Sequence, residues 1–192
     1  MTTNSAPTAE AAPPPHEAVP ARPPDCVFVV GPRGAGKTRW IQRRLLDLAA
    51  GHPDFRAAVL LAEEGRTRME RFALAHAGVA VRRLLLPCPC CPALAQLPTT
   101  VRDVVATSRA AALFIETPAT AAPGLLAEFD RDPAWPRRLV VCLDAKWARL
   151  AERPDRPYFL SALLEKADEV IPPEPFPAGP SGHGAVAGLT LS

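Results

Sequence analysis

Gly31-Pro32-Arg33-Gly34-Ala35-Gly36-Lys37-Thr38 is the stretch that decides the fold. It reads G-x-x-x-x-G-K-[ST]. The apolar run Cys26-Val27-Phe28-Val29-Val30 precedes it and has the look of a buried strand. Ile41, Leu45 and Leu48 follow at helical spacing. Strand, glycine-rich loop and helix in that order are the context in which this pattern forms a phosphate-binding P-loop. Glycines let the backbone curl until successive N–H groups converge on one anion. The start of a helix adds partial positive charge at the same point. The candidate nucleotide-contacting set is therefore Gly31, Arg33, Gly34, Ala35, Gly36, Lys37, Thr38 and Arg39. Within it Lys37 is expected to reach the β- and γ-phosphates, and Thr38 to place its hydroxyl on Mg²⁺.

Working outward, the alternation continues. Ala57–Leu61 reads as a second strand and Arg66–Ala77 as a helix, with Met69, Phe72, Leu74 and Ala75 at helical spacing and Gly78 to end it. Val79–Leu86 is a third strand, and its Arg82-Arg83 pair suits an edge position. Thr99 is expected to cap a helix running to about Arg109, with Val101, Val104 and Val105 inward. Leu113–Ile115, Leu139–Leu143 and Val170–Ile171 complete the strands; Leu125–Phe129 and Phe159–Ala167 complete the helices. Short apolar strands alternating with amphipathic helices predict an α/β fold: a three-layer P-loop NTPase with a mostly parallel sheet and helices on both faces. Ligands of such sheets sit beyond the carboxyl ends of the strands. The P-loop, Glu63, Glu116 and Asp144 all follow strands, so they are expected along one edge.

The totals limit the alternatives. A chain of 192 residues with 48% apolar content suits one domain with tails. A net charge of +2, with scattered Lys and Arg and few aromatic residues, does not suggest a nucleic-acid binder. No apolar run reaches membrane-spanning length, and no secretory signal is visible, so the expectation is a cytoplasmic protein with reduced thiols. Seven prolines in residues 1–24 mark a Pro/Ala-rich tail expected to be disordered. A nucleotide-binding domain is expected over 25–171, followed by a Pro/Gly-rich tail over 172–192.

Two further groups carry chemistry. Cys88, Cys90 and Cys91 place three thiols within four residues, between Pro87, Pro89 and Pro92. Thiolates at this density suit Zn²⁺ or a similar soft cation and leave a fourth tetrahedral position open. Redox sensing is the alternative. Cys26 and Cys142 lie inside apolar runs and read as core thiols. Glu116, at a strand end across from Thr38, is expected to hold Mg²⁺ through water, which makes Lys37, Thr38 and Glu116 the candidate catalytic set. Asp144 fits either the site or the cap of a following helix. His52 and His76 read as surface or helix-end residues, and Trp40, Trp135 and Trp147 as packing residues.

In this order the motifs resemble those of the CobW/HypB/UreG family of P-loop GTPases, specifically its CobW-type metallochaperone branch. The resemblance rests on Gly31–Thr38, on Ala58–Gly65, on Cys88-Pro89-Cys90-Cys91 as the C-x-C-C motif, on Phe114-Ile115-Glu116-Thr117 to Pro123, on Val140–Ala145 and on Ala167–Ile171. It implies GTP with Mg²⁺, a transition metal such as zinc, a client metalloprotein, and a switch or metal role for Glu63. Ala62, Ala119 and Ala122 stand where the family has Asn, Gly and Asp. Pro172-Pro173-Glu174-Pro175 stands where it reads guanine with N-K-x-D, so ATP stays open beside GTP. The function expected is that of a GTPase that couples nucleotide to metal handling. The alternatives are a non-hydrolysing nucleotide-binding regulator, or a small metabolite kinase using Arg149, Arg153 and Arg156.

Overall fold

A computed structural model describes residues 24–62, 68–84, 97–131 and 136–173. The expected tails over 1–24 and 172–192 fall almost wholly outside these residues. The strands are β1 (Asp25–Gly31), β2 (Ala57–Leu61), β3 (Val79–Arg83), β4 (Ala112–Pro118), β5 (Arg137–Cys142) and β6 (Glu169–Ile171). The helices are α1 (Lys37–Gly51), α2 (Arg68–Ala75), α3 (Leu97–Ser108), α4 (Ala122–Asp130), α5 (Ala145–Ala151) and α6 (Tyr158–Glu165).

The strands form one sheet in the order β3-β2-β4-β1-β5-β6. All five pairings are parallel. Parallel strands are buried on both faces, which is why β2 reads Ala-Ala-Val-Leu-Leu without alternation and every residue in it is buried. β3 does lie at an edge, and Arg82 and Arg83 are exposed there.

Helix placement follows from strand order. The connections after β1 and β2 run toward β3; those after β3, β4 and β5 run the other way. Right-handed crossovers therefore put α1 and α2 on one face and α3, α4 and α6 on the other. The two cores match this division. Ile41, Leu45 and Met69 pack on Val29, Val59, Phe114 and Val140. Val101, Val104, Val105, Leu125, Leu126 and Leu163 pack on Phe28, Val30, Leu113 and Ile115. Phe28 meets Phe129 edge to face, with centroids 4.9 Å apart at 84°.

Three details differ from the sequence expectation. α3 begins at Leu97, so Thr99 lies inside it and does not cap it. Residues 85–96, which precede it, lie outside the described residues. Leu74 is 87% exposed. It lies five residues after Met69, about 140° round the helix, whereas Phe72 at i+3 stays on the inner face. The third strand ends at Arg83, and Leu84 still donates its N–H to Leu61 O at 2.9 Å.

Phe28 is fully buried in the strand that holds the sheet together. Phe28→Ala should destabilise the protein by about 3–5 kcal/mol, and Phe28→Leu by clearly less. Urea unfolding of the two variants checks this; equal midpoints for Phe28→Ala and the unmodified protein would contradict the packing described.

Candidate functional site

The site is built where β1 runs into α1. β1 pairs with β4 from Asp25↔Ala112 to Gly31↔Pro118, and with β5 from Cys26↔Arg137 to Val30↔Val141. α1 leaves β1 on one face, while the helices after its neighbours β4 and β5 leave on the other. That divergence opens a crevice at the carboxyl edge, where ligands of such sheets bind.

The loop depends on its glycines for different reasons. Gly34 and Gly36 have φ of 87° and 85°, left-handed values that glycine adopts without strain. Gly31 is fixed by contact: a Cβ there would sit 2.2 Å from the carbonyl oxygen of Cys142. The loop is closed by Ala35 N donating to Pro32 O at 3.2 Å. Gly36 is the N-cap of α1, with no side-chain cap and no acid in the first turn. A 15-residue helix thus directs its positive end at the loop.

Lys37 is only 4% exposed, although it is the first residue of this helix. Its Nζ donates to Gly31 O at 2.9 Å and Pro32 O at 3.0 Å. The ammonium is folded back over the loop by these bonds. Glu116 is 8% exposed near the end of β4, opposite Val29 of β1 and Leu61 of β2. Thr38 places its hydroxyl 2.9 Å from both carboxylate oxygens of Glu116, so one proton serves either oxygen. The structure therefore brings Lys37, Thr38 and Glu116 together at the mouth of the loop. Arg33 is exposed on the loop and Arg39 on the first turn of α1. Glu63, Cys88, Cys90 and Cys91 lie outside the described residues. Among the described residues no group of three or more His, Cys, Asp or Glu side chains is placed to hold a metal ion.

Other expected residues have structural work. Asp144 caps α5, accepting the N–H of Trp147 at 2.7 Å. Arg153 pairs with Asp155 at 2.6 Å, and Arg156 donates to Ser161 Oγ and Ala151 O, each at 3.0 Å. His76 Nδ1 lies 2.8 Å from Phe72 O at the end of α2. Trp40 meets Phe114 and Trp147 meets Phe159, both edge to face; Trp135 lies outside the described residues. Sequence reasoning missed Thr117, which is fully buried next to Glu116, and the closeness of Cys142 to the loop. Cys142 ends the strand beside β1, and that position was its only signal. Burial pushes its thiol up to about 12, Lys37 lowers it somewhat, and Glu116 and Glu169 raise it. Burial also raises the Cys26 thiol.

A parallel sheet with this loop, a buried lysine and an adjoining Thr–Glu pair defines a P-loop nucleotide-binding protein. The family described as CobW/HypB/UreG, nucleotide-binding domain, matches residues 25–172. The chain belongs to that family. Among solved structures it is similar to the signal recognition particle receptor FtsY from Elizabethkingia anophelis in complex with GDP, at 15% identity and a TM-score of 0.54. That likeness covers 81% of this chain and 52% of FtsY, so the chain spans about half the length of that relative. A second FtsY structure from the same organism matches at 16% identity and a TM-score of 0.49, over 81% of this chain and 50% of that one. FtsY at this identity supports the fold alone. No curated protein matches the chain. No helix among the described residues is long and apolar enough to cross a membrane.

The two buried thiols give the protein a pH dependence. The folded state holds the Cys142 proton up to about 12, while an unfolded thiol loses it near 9.0. The folded state thus binds more protons between those values, and its stability falls as pH rises through them. The slope is up to about 1.4 kcal/mol per pH unit for each thiol. Unfolding measured from pH 8 to 11 should show this decline, and Cys142→Ala should remove part of it. An unchanged slope in that variant would contradict the assignment.

Proposed function

We propose that the chain binds a Mg-nucleotide, as a GTPase-like protein, and couples binding or hydrolysis to the handling of zinc or a similar transition metal for a client metalloprotein. The observation that carries this reading is the Thr38–Glu116 contact beside the buried Lys37 at an uncapped helix start. An alcohol and a carboxylate are hard oxygen donors, the set Mg²⁺ takes. Thr38 would ligate the ion directly and Glu116 through water, and the ion would neutralise phosphate charge. Lys37 would exchange its two loop carbonyls for β- and γ-phosphate oxygens. The backbone from Gly31 to Arg39 would supply the surrounding N–H groups.

The softer ion belongs elsewhere in this reading. Cys88, Cys90 and Cys91 would hold zinc as thiolates, with Glu63 as a further donor. Their loop follows β3 and Glu63 follows β2, whose carboxyl ends share the edge with the P-loop. A γ-phosphate and a metal ion could then bias one two-state element, and each would alter the affinity of the other.

Base preference is weak in this proposal. Asp144 is committed to the cap of α5, and Pro172-Pro173 follows β6 with no N–H to donate. A second reading, a non-hydrolysing regulator, is favoured by one observation. Ala119, in the turn after β4, is 6% exposed and stands where the related sequences carry a glycine. In this reading a methyl group there would narrow the approach on the γ-phosphate side.

Titration with MgGTP and MgATP, each with and without one equivalent of zinc, tests the proposal. The two nucleotides should bind within about tenfold of each other. Lys37→Ala should weaken both by about ten- to a hundredfold, which is about 1.4–2.8 kcal/mol. Replacing Cys88, Cys90 and Cys91 by Ser should abolish zinc binding and leave the zinc-free nucleotide affinity unchanged. Zinc binding that survives these replacements sinks the metal loop, and nucleotide affinities indifferent to zinc sink the coupling. Nucleotide binding without turnover favours the regulator.

A further inference from the structure

The topology leaves one strip of sheet without a helix. On the face of α1 and α2, no described helix covers the β5–β6 side, because the connections that reach those strands lie on the opposite face. A groove runs there along the flank of α1. Toward β6 it is a cavity of about 470 Å³ between Trp40, Arg43, Arg44 and Asp47 of α1, Arg138 of β5 and Glu169 of β6. Toward the amino edge of the sheet it continues as a cavity of about 320 Å³, walled by Val27, Leu48, Phe55 and Phe114. The two parts share Trp40, Arg44 and Arg138. The result is an aromatic and aliphatic trough whose rim carries charges of both signs. Arg138 is held in place on that rim by Glu169 at 2.7 Å.

The chain itself arrives at the mouth of this trough. Asp25, the first residue of β1, lines the lower cavity. The residues before it include Pro7, Pro13, Pro14, Pro15, Pro20, Pro23 and Pro24. Pro24, the last of these, is buried where it meets the sheet. We propose that the Pro-rich segment 7–23 docks in this groove in cis, as a polyproline helix lying along α1.

Three physical arguments converge on that occupant. Polyproline helices are recognised by aromatic-lined grooves, where proline rings pack on aromatic side chains. Trp40 and Phe55 supply such surfaces. Proline has little backbone entropy left to lose on docking. The reach is sufficient: residues 13–23 in this conformation extend about 34 Å at about 3.1 Å per residue. α1 is about 22 Å long at 1.5 Å per residue. Charge does not select the occupant: Arg43 and Arg44 stand beside Asp47, and Arg138 is paired with Glu169, while the segment carries Glu10, Glu17 and Arg22. Tethering beside the groove gives an effective concentration on the order of millimolar, so even a weak contact is populated. The docking does not depend on which nucleotide the P-loop takes.

The test uses the full-length protein in two arms. In the first, a photoreactive benzoyl-phenylalanine replaces Ala18, and cross-linked peptides are mapped by mass spectrometry. Intramolecular cross-links to the 40–55 region, independent of protein concentration, are expected. Cross-links between chains, or only to other regions, overturn docking in cis. In the second, a fluorescent synthetic peptide of residues 7–24 is titrated into the unmodified protein and into a variant carrying Pro13→Gly, Pro14→Gly, Pro15→Gly and Pro20→Gly. The variant, with its own segment weakened, should bind the peptide at least tenfold more tightly. Equal affinities, or no binding to either protein, overturn the proposal.

Discussion

A carboxylate buried inside an apolar sheet is the constraint that organises this molecule. Glu116 lies on a strand flanked by Phe114, Ile115 and a fully buried Thr117, with 8% of its surface exposed. A bare carboxylate is costly to bury in such surroundings. Here it is answered from the neighbouring element, by the Thr38 hydroxyl 2.9 Å away. That contact is available only because β1 and β4 are paired in a register that sets Gly31 level with Pro118. A one-residue slip would turn Glu116 to the opposite face and leave it without Thr38. The apolar register and the polar contact therefore depend on each other. The buried ammonium of Lys37 follows the same logic, since it is satisfied by carbonyls of the loop that it closes.

The same pairing decides where Cys142 lies and why Gly31 is glycine. β5 approaches β1 so closely that the Cys142 carbonyl fills the place of a side chain at position 31. The loop thus starts from a strand gripped on both sides, with neighbours whose helices leave in the opposite direction. Preorganisation of the N–H groups is a property of this framework as much as of the loop sequence. Local glycine chemistry sets the φ values at Gly34 and Gly36, while tertiary packing forbids a side chain at Gly31.

The sheet, its parallel sense and the edge position of β3 were legible because they rest on composition along short runs. Five Val, Leu and Ala residues in a row leave little else for β2 to be. The P-loop was legible because its spacing is a local covalent requirement. Helix starts were less so: Thr99 looked like a cap because its hydroxyl suits one, but Leu97 and Pro98 before it are already helical. Leu74 shows the opposite failure, where an apolar residue suggested a face that the helix angle denies it. The two-way reading of Asp144 could be settled only by geometry, since a carboxylate after a strand serves a cap or a ligand equally well in sequence. Arg149, Arg153 and Arg156 are similar: the latter two are held by a neighbouring carboxylate, a hydroxyl and a carbonyl, interactions that spacing alone does not reveal.

The groove beside α1 follows from an imbalance that no local motif records. The connections distribute their helices unequally, and α1 alone guards the central strands on its side toward β5. Burying apolar surface stabilises a domain at roughly 25 cal/mol per Å², so a trough walled by the half-buried Trp40 and Phe55 gains stabilisation when something covers it. A rigid, weakly polar segment tethered at its mouth can cover it at little entropic cost. The composition of residues 1–24 first looks like a reason for the segment to stay unfolded, because it has too few large apolar side chains to form a core. Against a groove that already provides the aromatic surface, the same composition becomes suited to docking. Proline supplies stiffness and the folded body supplies the hydrophobic partner, so the segment need not carry a core of its own.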